Sequence, residues 1–412
     1  MIRRVTPMAL LLMASWAMTT GSLRAQAAAS PPTCAQIAAA EPQAGHTQPP
    51  QANWMFAADF PVIKDCEWGY PIGGFGGIHQ GAPLHHTPVV FVHGNQADAE
   101  NWYLVADQFK QQAGYSDQEL YALSYNGLAN GYAGMPTCCQ PSPGSTAYWQ
   151  CTGTSNCPNP PFYSFCCNGG HGASDDPNTE DVYNFIRAVQ RYTGSQQVDV
   201  VAHSLGVTIV RKTLLEHPEL RQDVLAAVMI AGGNHGTSVC RGIESTYYGC
   251  EEISPLEALP PGSTMPGDST ASDGWLYRLN AAGEAPGPTR WMSVYNGSDN
   301  TDPFFVAVPG AFDDTTSPRL DGAINVTCPH TYHNDERVRP DIVQTYLNFL
   351  LQNGQASGPM DPVSGAPAAT FPCNVAPPAV VPEAPAVPLL LLIPGLAAAA
   401  AFARKRHRRA LH

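Results

Sequence analysis

Apolar positions along the middle of the chain follow two different periods. Residues 88–92, 198–202, 226–231 and 291–295 are short, nearly continuous apolar runs, the pattern of strands buried on both faces. Between the first two, Val182, Phe185, Ile186, Val189 and Tyr192 recur at helical spacing. That spacing predicts a helix over 178–192, with Asn178 as N-cap, Asp181 in the first turn and Gly194 just past the end. Further helices are predicted over 206–215 and over 341–351, where Ile342, Val343, Tyr346, Phe349 and Leu350 form the apolar stripe. Strand, helix, strand, helix in this order predicts an α/β fold: a doubly wound, mostly parallel sheet carrying loop and cap insertions.

Two stretches break the rhythm. Residues 127–175 are rich in Gly, Pro and Cys, and residues 237–287 in Gly, Pro and Ser. Both exceed ordinary connections, which marks the first as a lid, a binding loop or disulfide-stapled decoration and the second as a cap-like insertion. Residues 357–385 are dominated by Pro, Ala, Gly and Val without periodicity and read as an extended linker.

The ends carry targeting patterns. Arg3 and Arg4 precede an apolar run, and the triplet Ala25-Gln26-Ala27 follows at the distance of a signal-peptide cleavage site, so residues 1–27 read as a secretory signal. At the other end, residues 386–403 are apolar, interrupted by Pro388, Pro394 and Gly395, and are followed by Arg404, Lys405, Arg406, Arg408 and Arg409. Such a span is long enough to cross a bilayer with its basic tail held in the cytoplasm. Residues 386–412 therefore resemble the anchoring or sorting tails of exported bacterial proteins, with a buried terminal helix as the alternative. The expected organisation is signal 1–27, N-terminal arm 28–85, α/β domain 86–356, linker 357–385 and anchor 386–412.

Charge and cysteine content narrow the partners and the compartment. The formal net charge is −13, and eight of the 21 basic residues sit in the two terminal segments, which leaves 13 basic against 34 acidic residues in the remainder. A surface this acidic excludes nucleic acid as a partner, because neutralising phosphates is what drives that binding. Twelve cysteines in an exported chain point to disulfides. Expected pairs are Cys34 with Cys66, Cys240 with Cys250, and Cys328 with Cys373. Six more cysteines crowd the first insertion, where His171 lies nearby. Their spacings fit no short-turn zinc template, so disulfides are preferred there and no metal or organic cofactor is expected.

The chemistry concentrates at Ala202-His203-Ser204-Leu205-Gly206, between a strand and a helix. A serine on such a sharp turn needs small residues two positions to either side, and Ala202 and Gly206 supply them. Its hydroxyl then stands at a helix N-terminus, which favours developing negative charge. Ser204 is the candidate nucleophile. Two backbone amides should bind the resulting oxyanion, that of Leu205 and that of Asn95 in the His93-Gly94-Asn95 turn after the strand 88–92. An acid and a base should follow the serine, each on a loop after a strand. Asp302 is favoured as the acid because Pro303, Phe304 and Phe305 can bury that loop, with Asp299 as rival. His333, just ahead of the last helix, is favoured as the base over His330. His93 and His203 read as structural, and His235 and His171 have no assigned role.

Residues 73–77 (Gly-Gly-Phe-Gly-Gly), 87–95, 192–206 and 231–233 (Ala-Gly-Gly) together resemble the extracellular bacterial lipases and polyhydroxyalkanoate depolymerases whose serine box begins with Ala, members of the α/β-hydrolase superfamily. The likeness covers about residues 73–236 and is looser to Leu351. It implies an α/β-hydrolase fold, a Ser204–His333–Asp302 triad, an Asn95 and Leu205 oxyanion hole, and an ester partner, either acylglycerol or polyester. The insertion after Gly127 is not part of that pattern and leaves the substrate open between lipid and polyester. A non-catalytic surface binding protein that keeps the fold is the alternative from another class.

Overall fold

Eight strands pair in the order β1-β2-β4-β3-β5-β6-β7-β10: β1 (Trp54–Phe56), β2 (Gly73–Gly76), β3 (Val89–Val92), β4 (Leu120–Ser124), β5 (Val198–His203), β6 (Val224–Ile230), β7 (Arg290–Tyr295) and β10 (Ile324–Thr327). All neighbours are parallel except β2 and β4, which run antiparallel. A separate two-residue hairpin joins β8 (Ala307–Val308) to β9 (Phe312–Asp313). This is the doubly wound sheet of an α/β-hydrolase. The computed structural model describes residues 33–36, 54–66, 71–95, 97–125, 176–241, 250–266, 271–297, 300–308, 312–351 and 373. The expected signal segment, the 127–175 insertion, the linker apart from Cys373, the C-terminal anchor and Asp299 lie outside them.

The strand runs are apolar on both faces because both faces are covered. Val90 and Val92 of β3 point into one core with helices α2 (Asp176–Thr193) and α3 (Leu205–Glu216). Val89 and Phe91 point into the other, with α1 (Tyr103–Ala113) and the last helix, α6 (Pro340–Leu351). All four side chains are fully buried, which for residues of this size is worth about 1.5–3 kcal/mol each.

Helix α2 begins two residues earlier than the sequence pattern indicates, so Asn178 is inside the helix and is not its N-cap. Pro177 falls in the first turn, where a missing N–H removes no intrahelical bond. The other end follows expectation: Gly194 takes φ of 74° and its N–H bonds the Gln190 carbonyl at 2.8 Å. The sheet also reaches ahead of residue 86, since β1 and β2 come from residues 54–76. Within the 237–287 insertion the described residues form short turns, a single α-helical turn at Cys250–Ile253 and a longer helix, α4 (Trp275–Ala281). Two more helical segments matter below: α5 (Asp335–Val338) and α6 directly after it.

Disulfides join Cys34 to Cys66, Cys240 to Cys250 and Cys328 to Cys373, the three pairs expected from the sequence. Among the described residues no helix is long and apolar enough to cross a membrane.

Candidate active site

Strand β5 delivers Ser204 into a backbone conformation, φ 57° and ψ −129°, that a non-glycine residue adopts only under constraint. The constraint is visible on both sides of the turn. The Ser204 N–H is held by the Ile230 carbonyl at the end of β6, at 2.8 Å. After it, α3 starts so close to the end of β3 that a Cβ on Gly206 would lie 2.2 Å from the His93 carbonyl oxygen. Only glycine fits there. Gly94 is equally tight: a Cβ would stand 2.7 Å from Ser204 Cβ.

The turn after β3 is fastened through the Gly94 carbonyl. It accepts from His93 Nδ1 at 2.8 Å and from the Ala97 N–H at 3.3 Å, while the Tyr125 hydroxyl donates to the adjacent His93 carbonyl at 2.8 Å. A trans peptide points its N–H opposite to its carbonyl, so these bonds also fix the direction of the Asn95 N–H. The His93 and Tyr125 rings stack with centroids 3.8 Å apart and an interplanar angle of 4°. Burial pushes the His93 imidazole down to about 3, against the raising effect of its bond to Gly94, so His93 stays neutral. On the other side, Leu205 is the first residue of α3, and first-turn amides have no partner within their helix.

His333 arrives on the loop between β10 and α5. Its Nε2 lies 2.9 Å from Ser204 Oγ and its Nδ1 lies 3.0 Å from Asp302 Oδ2. The structure thus brings Ser204, His333 and Asp302 together, whereas His330 is exposed in the preceding turn. Asp302 is fully buried, and its second oxygen accepts the Phe304 N–H at 2.8 Å. The Phe304 ring packs 4.4 Å from the imidazole and the Phe305 ring 6.0 Å from it. Phe304 stays 41% exposed and Tyr332 54% exposed, so aromatic surface borders the opening beside His333.

Several neighbours of the site have no signature in the sequence. His203 donates from Nε2 to the His333 carbonyl at 2.9 Å, and Asn296 donates to the Thr331 carbonyl at 2.7 Å, two residues before the imidazole. His235 is placed elsewhere, against Glu284 and the Ser317 carbonyl. His171 lies outside the described residues. Among the described residues no group of three or more His, Cys, Asp or Glu side chains is arranged to hold a metal ion.

The family model of class 2 lipases matches residues 86–140 and 177–299. The chain has the α/β-hydrolase fold, and these segments are similar to the class 2 lipases. The matched segments contain Asn95, Ser204 and Leu205, while Asp302 and His333 follow them. Among solved structures, the chain is similar to Aspergillus fumigatus lipase B at 15% identity, over 64% of this chain and 52% of that one, with a TM-score of 0.39. It is similar to mature Bacillus licheniformis lipase BlEst2 at 15% identity, over 65% and 93%, with a TM-score of 0.37. The Bacillus subtilis carboxylesterase CesB aligns at 14% identity, over 72% and 94%, with a TM-score of 0.34. The chain thus spans about half the length of the Aspergillus enzyme. No match was found among curated protein sequences.

Proposed function

We propose that this protein is an exported carboxylic-ester hydrolase of the lipase or esterase type that works through an acyl-enzyme on Ser204. One observation carries the reading: a single imidazole, His333, is within hydrogen-bond distance of a strained serine hydroxyl at 2.9 Å and of a buried carboxylate at 3.0 Å. With Asp302 accepting the Nδ1 proton, the Nε2 lone pair faces Ser204 Oγ. The imidazole takes the hydroxyl proton as the oxygen attacks the ester carbonyl, then returns it to the departing alcohol. The Leu205 and Asn95 amides receive the oxyanion. Water, activated by the same imidazole, then releases the acid. Three disulfides suit an oxidising compartment and support export.

The test is Ser204→Ala together with a fluorophosphonate probe. The variant should fold, lose hydrolysis of p-nitrophenyl butyrate and resist the probe, while wild type is labelled at Ser204. Hydrolysis retained by the variant, or wild type left unlabelled, overturns the proposal. Release of fatty acid from emulsified tributyrin, set against clearing of polyhydroxybutyrate granules, assigns the substrate, for which acylglycerol is the expected one.

A further inference from the structure

Among the described residues three rings pack around the imidazole of His333: Phe304 at 4.4 Å, His203 at 4.6 Å and Phe305 at 6.0 Å, centroid to centroid. His203 and Phe305 are buried, whereas Phe304 is exposed. A phenylalanine that served only to close the acid loop would be covered, as Phe305 is. Tyr332, the residue before the base, is exposed as well.

Both exposed aromatics are anchored through the main chain. The Phe304 N–H donates to Asp302 Oδ1 at 2.8 Å, and its carbonyl accepts the Thr237 hydroxyl. Thr237 is fixed in turn, since its N–H donates to the Ile253 carbonyl at 2.8 Å. The Tyr332 carbonyl accepts the Asp335 and Glu336 N–H groups at the start of α5, at 2.8 and 3.1 Å. Two aromatic side chains held exposed beside one imidazole are apolar surface in want of cover.

The direction of proton transfer says which part of an ester would cover them. In the tetrahedral intermediate the oxyanion turns to the Leu205 and Asn95 amides, while the leaving oxygen must come to His333 Nε2 to receive its proton. Exposed groups packed beside that imidazole therefore border the alcohol portion and not the acyl chain.

We propose that Phe304, with Tyr332 beside the same imidazole, is a specificity-determining residue that selects esters whose alcohol portion is apolar and aromatic. The inference rests on the proposed triad and deepens it by naming the substrate class. Ring against ring gains more than the buried area alone, so an aromatic alcohol gains most from this surface.

The experiment compares benzyl butyrate with ethyl butyrate, which share an acyl group and have leaving alcohols of similar basicity. Wild type should show kcat/KM about tenfold higher on the benzyl ester. Phe304→Ala keeps both main-chain bonds and should bring the two esters within about threefold, while Phe304→Tyr keeps the ring and the preference. The ratio of p-nitrophenyl butyrate to p-nitrophenyl acetate varies the acyl group alone, and in Phe304→Ala it should stay within about twofold of wild type. A site merely loosened would move both ratios. The alcohol side is read again in reverse, with p-nitrophenyl butyrate as acyl donor and benzyl alcohol added. His333 takes the proton of the alcohol as its oxygen attacks the acyl-enzyme, returns it to Ser204 Oγ, and benzyl butyrate leaves; Phe304→Ala should form less of it than wild type. Should the alanine variant be inactive on both esters, Phe304→Leu carries the test, with the benzyl preference expected to fall about threefold. A benzyl preference absent from wild type, or intact in the active variant, overturns the proposal. So does an acyl ratio that shifts as far as the alcohol ratio. Activity surviving in Ser204→Ala sinks the triad itself, a result separate from these.

Discussion

His203 Nε2 donates to the main-chain carbonyl of His333 at 2.9 Å, joining the residue before the candidate nucleophile to the residue of the candidate base. The bond is buried, and burial together with the nearby His333 and Arg337 charges lowers His203 well below the ordinary histidine value. A neutral ring with its proton on Nε2 suits a carbonyl acceptor. The placement of the imidazole therefore depends on a side chain that takes no part in proton transfer.

His203→Phe keeps the ring volume and removes this donor. The His333 carbonyl is left unpaired, at a cost of about 1–3 kcal/mol in stability. Small displacements of a base cost rate steeply, so kcat should fall about tenfold or more. Thermal unfolding and steady-state kinetics on the same preparation check both; an unchanged kcat refutes the coupling.

Asp302→Asn tests the choice of acid. The amide cannot accept from Nδ1 as the carboxylate does, so the imidazole loses the tautomer that presents Nε2 to Ser204. The expected loss in kcat is on the order of 10³–10⁴, by the behaviour of such triads in general. Asp299→Asn, its rival from the sequence, should change kcat less than about threefold. Kinetics of the two variants side by side decide between them.

Strands β3, β5, β6 and β7 were readable because they lie inside the sheet, buried on both faces and therefore apolar almost throughout, with Asp199 and Ser293 as buried polar exceptions. Strands β1 and β10 are edges, and β2 is Gly-Gly-Phe-Gly, with no alternation to read. Strand β4, Leu-Tyr-Ala-Leu-Ser, lacks β-branched residues and fits either period. The serine turn was legible because its strain demands small neighbours, and His333 because it sits where a strand gives way to the last helix. Asn296 and Tyr125 were not legible, since each acts through a contact distant in sequence and leaves no local pattern. Asn178 misled because a good N-cap residue also fits inside a helix whose first turn holds Pro177.

Asp98 and Glu100 lie at the start of the segment after the Gly94 turn, both buried. Burial raises Asp98 to about 6, and burial with the Asp98 charge raises Glu100 to about 8. An acid raised in the folded state contributes stability that is complete below its unfolded value and is lost as pH rises through its folded value. For Glu100 that window runs from 4.5 to about 8. The loss is at most about 1.4 kcal/mol per pH unit for one proton. Melting temperature should therefore fall between about pH 4.5 and about pH 8 in wild type and fall less in Glu100→Gln. Parallel curves for the two proteins would falsify the assignment.

The bridge between Cys328 and Cys373 closes a 45-residue separation and begins the loop that carries His333. Removing such a cross-link costs about 4 kcal/mol through the freedom it returns to the unfolded chain. Cys328→Ser with Cys373→Ser should lower the melting temperature and narrow the temperature range of hydrolysis. A double variant as stable as wild type shows that the bridge contributes nothing.

Gly94 offers the most direct test of how closely the two turns approach. Its φ is not in the left-handed region, so alanine is allowed by the backbone. A Cβ there would nonetheless stand 2.7 Å from Ser204 Cβ and 3.3 Å from Ser204 Oγ. One of the two turns must retreat, and a shift of a fraction of an ångström at the nucleophile moves it off the Nε2 of His333. Gly94→Ala should thus lose kcat by about 100-fold and destabilise the fold by about 1–3 kcal/mol. The origin of the destabilisation is separable by a double-mutant cycle. In a Ser204→Gly background the opposing Cβ is gone and only the 3.1 Å approach to the His203 carbonyl oxygen remains, so adding Gly94→Ala should then cost much less. Equal costs in the two backgrounds would show that the strain lies in the Gly94 turn alone and that the two turns do not touch as described.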